Sequence, residues 1–328
     1  MTDTSTTGTT GGADASAASL NRTLGRSDLV VGPIAYGFWR FAGTSTSEAR
    51  AKVERALELG MTLFDHADIY GVDGGGSFGD AEALFGEVMR EAPQLRERFV
   101  LATKGGIVLG VPYDSSAEYL KRAVDDSLRR LNVDVIDLYQ IHRPDFLTHP
   151  AALAQTLEEL RSSGKVREFG VSNYTASQTR ALQAHLSFDL ITAQPEWSCW
   201  SHGALRDGVL DLCMEREMTP LGWSPLAGGR LATSVEEARA ALDAQPNDPN
   251  AKRLFDTVSA LDALAKRYEV SPTAVAIAWT MRHPAGVIPI IGTQRLERMS
   301  ECVSAAQVQL TRAEWNEVLV AAQGYPLP

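Results

Sequence analysis

From about Val30 to the C-terminus, short apolar runs alternate with longer stretches whose apolar positions recur at helical spacing. The apolar runs are "VVGPIAYGFW", "MTLFD", "FVLATK", "VIDLYQIH", "VREFGVSN", "LITAQPE", "TPLGWSP" and "GVIPIIG", each short enough and rich enough in β-branched and aromatic residues to be a strand. The stretches between them read as amphipathic helices. Ser115 to Leu131 opens with a Ser115/Glu118 capping box and repeats apolar residues at Leu120, Val124, Leu128 and Leu131. Thr175/Gln178 forms a second capping box, Ser271-Pro272 reads as N-cap plus first helical residue, and Gly60 stands where a helix ends in a left-handed glycine.

Eight strand-helix units in regular alternation fit a closed (β/α)₈ TIM barrel, an α/β fold, better than a doubly wound sheet. No composition break divides them, so residues 21–328 are expected to form a single domain. A barrel gathers its active residues at the C-terminal ends of its strands. Those ends here are Asp65, Lys104, His142, Ser172-Asn173, Gln194, Ser224 and Gly292, each closing a different apolar run.

Composition narrows the partners. With 328 residues and 44% hydrophobic content, the chain can bury one large core. A formal charge of -10 excludes nucleic acid and anionic membrane as expected partners, which need clustered Lys and Arg. Cys199, Cys213 and Cys302 are odd in number and lack metal-ligand spacing, which suits a reducing, cytoplasmic setting and no metal site. Residues 1–20 are mostly Thr, Gly, Ser and Ala, without the basic start or apolar core of a signal peptide, and read as a disordered tail. No apolar run approaches the length of a membrane-spanning helix.

The stretch "MTLFDHADIYG" poses a chemical problem, because Asp65 follows Leu63 and Phe64 and a buried carboxylate needs a partner. Converging strand ends supply Lys104. Tyr70 then lies within reach of that ammonium and His142 closes the group, a set suited to proton transfer in which the ammonium is expected to lower the tyrosine pKa. Taken singly, each residue has a plainer reading: a turn aspartate, a solvated lysine, a structural histidine.

The motifs "FDHADIYG", "LATKGG", "LYQIHRPD", "GKVREFGVSN", "AQPEWS", "LGWSPLAGGRL" and "PIIGTQRLERMSECV" together resemble the aldo-keto reductases, in family order from about Gly32 to the C-terminus. "HRPD" and the terminal "GYPLP" resemble a bacterial branch of NADPH-dependent oxidoreductases. The resemblance implies NADP(H) as cofactor, a small carbonyl or alcohol substrate, and a catalytic tetrad of Asp65, Tyr70, Lys104 and His142 with Tyr70 as general acid. It also implies that Ser172, Asn173 and Gln194 hold the nicotinamide carboxamide and that Trp223 stacks on the ring. "LAGGR", from Leu226 through Gly228 to Arg230, would cover the pyrophosphate, while Thr293 and Arg298 would take the 2′-phosphate. Ser224 and Gly292 complete the cofactor set. Trp39 and Trp197 are candidate substrate-pocket aromatics.

Several positions depart from the family pattern. His66 replaces a threonine, Trp223 a tyrosine, Gly292 a lysine and Cys302 an asparagine, so preference for NADPH would rest mainly on Arg298. Two other readings remain at this stage. An NADPH-binding regulatory subunit with negligible turnover would share the barrel. A Rossmann dehydrogenase would use the G-x-G-x-x-G of Gly74 to Gly79, but eight residues, His66 to Asp73, separate that motif from the strand end where a phosphate-binding turn must begin. The glycines read better as a flexible loop beside Tyr70.

Overall fold

In the computed structural model, which describes residues 21–327, each of the eight apolar runs carries a strand that joins a parallel, closed barrel. The strands are β3 (Ala35–Gly37), β4 (Leu63–Asp65), β5 (Val100–Gly105), β6 (Ile136–Ile141), β7 (Val166–Ser172), β8 (Thr192–Gln194), β9 (Thr219–Gly222) and β10 (Ile288–Ile291). Each pairs with the next and β10 closes onto β3. The tail proposed for residues 1–20 lies outside the described residues.

The first run, Val30 to Trp39, is not one strand but two. Pro33 has no N–H for a ladder, and Gly32 passes so close to the backbone at Gly60 that a Cβ there would come within 1.9 Å of the Gly60 carbonyl oxygen. Before the break, β2 (Val30–Val31) pairs antiparallel with β1 (Arg22–Thr23). Leu24, Leu29 and Val31 of this hairpin pack in one apolar cluster with Leu63, Val100, Leu138, Leu221 and Ile288 of the barrel strands, and the Gly25 N–H donates to Thr219 Oγ1 at the start of β9 at 2.8 Å. The hairpin thus seals the end of the barrel opposite the catalytic strand ends, each buried leucine contributing about 1.5–3 kcal/mol.

The helices start largely where local chemistry sets them. Thr175/Gln178 is a capping box for Ala176–Gln183, Ser271 caps Pro272–Met281 with Pro272 in its first turn, and Gly60 leaves the helix Thr46–Glu58 at φ +77°. One boundary shifts. The helix Ala117–Leu131 is capped by Ser116, whose side chain accepts from the Tyr119 N–H, and Ser115 is instead tied through its own N–H to Asp145 at 3.0 Å. A strand-end loop has captured the serine that the spacing favoured as cap.

The glycines after Tyr70 form turns rather than a dinucleotide loop. Val72–Gly74 is a single 3₁₀ turn, Gly74 and Gly76 donate back to the Gly71 carbonyl, and Asp80 Oδ2 accepts from the Ser77 N–H at 2.6 Å. A barrel with these turns excludes the Rossmann reading. Among the described residues, no helix is long and apolar enough to cross a membrane.

Candidate active site

Strands β4, β5 and β6 are neighbours, and their C-terminal ends bring Asp65, Lys104 and, one residue past β6, His142 to one mouth. Lys104 is wholly buried, and its ammonium donates to Asp65 Oδ2 at 2.7 Å and to the His66 carbonyl at 2.7 Å. The same ammonium lies 4.9 Å from the centroid of the Tyr70 ring, which stands edge-on to His142 at 6.0 Å. Tyr70 reaches this place because the chain turns just past β4: its N–H donates to Ala67 O, and its carbonyl accepts from the Ala81 N–H at the start of the helix Asp80–Glu91. The four residues proposed as a tetrad are therefore one contact group.

Burial and charge set their protonation. Burial pushes the Tyr70 hydroxyl up, the Lys104 charge pulls it down, and the net shift is upward. The expected lowering of the Tyr70 pKa thus does not appear, because desolvation outweighs the ammonium. The consequence is a phenol that keeps its proton at neutral pH. Burial alone would lower the Lys104 pKa, but Asp65 and Tyr70 hold it above its ordinary value. His142 is held well below the usual imidazole range by burial, with Lys104 and Arg143 adding to the effect, and is neutral.

Gln140 and the contact of Gln194 with Asp65 escaped the sequence reading, which gave Gln194 only to the cofactor. Asp65 Oδ1 accepts from Gln194 Nε2 at 2.9 Å and from Gln140 Nε2 at 3.4 Å, and Gln140 is in turn held by Thr192 Oγ1 at 3.2 Å. Both carboxylate oxygens are thereby satisfied inside the barrel. His66, where a threonine was expected, stacks on Phe38 with centroids 3.7 Å apart and lies against Phe85. Asp68 is fully buried; its Oδ2 accepts from the Tyr119 hydroxyl at 2.9 Å, and burial with the nearby Glu82 pushes its carboxyl up to about 8. Glu82 is itself bound by Arg130 and by Thr103 Oγ1.

A cavity of about 800 Å³ opens over this group. Its other wall comes from the ends of β7, β8, β9 and β10 and carries Ser172, Asn173, Gln194, Trp223, Ser224, Leu226, Gly228, Gly292, Thr293 and Arg298. Ser172 Oγ and Asn173 Nδ2 are 2.9 Å apart, and Trp223 Nε1 donates to Asn173 Oδ1 at 3.1 Å. Asn173 and Ser224 hold φ of +59° and +53°, strained values for residues with a side chain, and such strain gathers at functional sites. Gly228 and Gly229, at φ +70° and +105°, have open space where a Cβ would stand. Amide and hydroxyl groups, an indole, an open glycine turn and guanidinium groups in one cavity fit a phosphorylated dinucleotide.

Two candidates fall elsewhere. Arg230 does not line this cavity; its guanidinium lies 4.9 Å over the Trp200 ring. Trp197 is wholly buried against Trp279 with its Nε1 bonded to the Thr280 carbonyl, so it is core and not pocket wall. Trp39 does line the mouth, where its Nε1 donates to Asp73 Oδ2 at 2.6 Å.

Comparison with known proteins identifies the assembly. The model of the Aldo/keto reductase family matches residues 33–321. The chain belongs to that family. It is 49% identical over 309 residues to a 6-dehydroglucose reductase of Novosphingobium aromaticivorans, covering 94% of this chain and 97% of the relative. A 6-dehydroglucose reductase of Agrobacterium fabrum is 35% identical over 308 residues, covering 90% and 96%. Among solved structures, the thermostable aldo-keto reductase Tm1743 in complex with the inhibitor epalrestat superposes with a TM-score of 0.74 at 22% identity, over 92% of this chain and 99% of that one, a likeness of fold. This aldo/keto reductase is accordingly an oxidoreductase, with its buried ion pair at the strand ends where barrel enzymes carry their chemistry.

Proposed function

We propose that the chain reduces an aldehyde or ketone to an alcohol with NADPH, Tyr70 serving as proton donor. The observation that carries this reading is the Lys104–Asp65 pair set against Tyr70 and His142 on the floor of a cavity whose opposite wall suits a dinucleotide. Bound there, the reduced nicotinamide supplies the hydride. Ser172, Asn173 and Gln194 would hold its carboxamide, Trp223 its ring, the Gly228 turn its pyrophosphate, and Thr293 with Arg298 its 2′-phosphate.

The remaining steps belong to the protein. His142, neutral in its buried setting, orients the carbonyl oxygen toward the Tyr70 hydroxyl. Tyr70 Oη releases its proton as negative charge develops on that oxygen, and the Lys104 ammonium, fixed by Asp65, stabilises the phenolate left behind. The floor of the site excludes water because Lys104, Asp65 and Gln194 are almost fully buried. A sugar-derived carbonyl is the favoured substrate, supported by two relatives named for reduction of a dehydro-sugar.

The reading is tested by titrating the protein with NADPH through quenching of its tryptophan fluorescence, then adding a panel of aldehydes, ketones and dehydro-sugars. NADPH binding followed by loss of reduced-nicotinamide absorbance supports it. Absence of NADPH binding contradicts it.

A further inference from the structure

Four arginines line the cavity: Arg40, Arg143, Arg295 and Arg298. None of them makes a salt bridge among the described residues. Arg295 and Arg298 stand beyond β10, on the wall assigned to the cofactor phosphates. Arg143 has no such explanation. It follows His142 directly, is partly buried, and holds its guanidinium 5.9 Å from the centroid of Trp223. Its charge acts on both Tyr70 and His142, the two groups that would hold a carbonyl oxygen. A partly desolvated guanidinium without an acceptor, placed beside the reacting position, calls for an acceptor on the substrate.

The rim also supplies the complement. Asp73 lines the cavity with Oδ2 occupied by Trp39 Nε1, leaving Oδ1 without a side-chain partner, and Arg40 covers the Trp39 ring at 4.8 Å. An anionic substrate would have to face that carboxylate. A hydroxyl group suits both sides, since it accepts from Arg143 and can donate to an acid.

We propose that Arg143, together with the Trp39–Asp73 pair, selects carbonyl substrates that carry a hydroxyl on the carbon next to the carbonyl. The inference rests on the reductase reading and adds to it a specificity determinant and a chemical requirement. A site built to hydrogen-bond a substrate hydroxyl disfavours the analogue that lacks it, because the partly desolvated Arg143 guanidinium is then left unpaired when the substrate covers it.

The test compares 2-hydroxypropanal with 2-methylpropanal, which exchange a hydroxyl for a methyl group, in the wild type, Arg143→Met and Arg143→Lys, with NADPH affinity as the control for folding. Wild type is expected to favour the hydroxylated aldehyde in kcat/KM by about tenfold or more. Arg143→Met should bring that ratio close to one while still binding NADPH, and Arg143→Lys should restore part of it. Because each ratio is compared across variants, differences in hydration of the two aldehydes cancel. An unchanged ratio in Arg143→Met, or an equal fall for both aldehydes, overturns the inference alone. If glyoxylate is preferred to 2-hydroxypropanal, the hydroxyl requirement is wrong. Failure of wild type to turn over 2-hydroxypropanal while it reduces another carbonyl of the panel with NADPH overturns the inference alone; failure with the whole panel overturns the reductase reading and the inference with it.

Discussion

Lys104 and Asp65 form a 2.7 Å ion pair in which neither side chain is more than 3% exposed. The pair is costly to bury and costlier to break, since removal of one member strands a charge in a medium that cannot solvate it. Its environment answers that demand: the carboxylate takes Lys104, Gln194 and Gln140, while the ammonium gives two of its three donors to Asp65 and the His66 carbonyl.

Lys104→Met is therefore expected to lower stability by about 3–5 kcal/mol in urea denaturation, and the double variant Lys104→Met/Asp65→Asn to recover part of the loss. Both should have lost most turnover. A single variant as stable as wild type would contradict the reading of this contact as a buried charge pair that is costly to break.

Arg298→Ala tests the phosphate assignment. It should weaken NADPH binding by about 1–3 kcal/mol and leave NADH binding nearly as it was, as read from fluorescence titrations with the two cofactors. Equal weakening of both cofactors would remove the 2′-phosphate from Arg298.

Asp68 gives a pH signature to stability. Burial and Glu82 raise its carboxyl to about 8 in the fold, whereas in the unfolded chain an aspartate titrates near about 4. The folded state thus holds the proton more tightly, so the group's contribution is complete below about pH 4 and is lost as pH rises through about 8. Asp68→Asn keeps an acceptor for the Tyr119 hydroxyl but does not titrate. Its melting temperature should fall less than that of wild type between about pH 6 and about pH 9. Parallel curves for the two proteins would show that Asp68 is ionised in the fold.

Much of this arrangement was legible in the chain. The strands of a parallel barrel are buried on both faces, so they stand out as apolar runs, and the polar residue ending each run marks the catalytic face. The β1–β2 hairpin was not legible, because a two-residue strand has no periodicity and Val30–Val31 merged with the following run. Gln140 was hidden for a related reason. Inside "VIDLYQIH" it looks like one polar residue in a strand, and only closure of the barrel turns it toward Asp65. The Ser116 cap was missed because Ser115 is spoken for by Asp145, 30 residues away. Trp197 and Arg230 show the limit of motif position as a guide: each sits beside a cavity-lining segment, yet their side chains pack against Trp279 and Trp200. The direction of the Tyr70 shift depended on the balance of burial against charge, which proximity to Lys104 alone does not give.

The proton donor is the centre of the account, and Tyr70→Phe addresses it most directly. The variant and the wild type should be titrated with NADPH and then assayed with a carbonyl substrate of the wild type under the same conditions. The variant is expected to bind NADPH as wild type does and to lose about 10²–10⁴-fold in kcat, because only the donated proton is gone. Turnover comparable to wild type would contradict the assignment of Tyr70 as the acid.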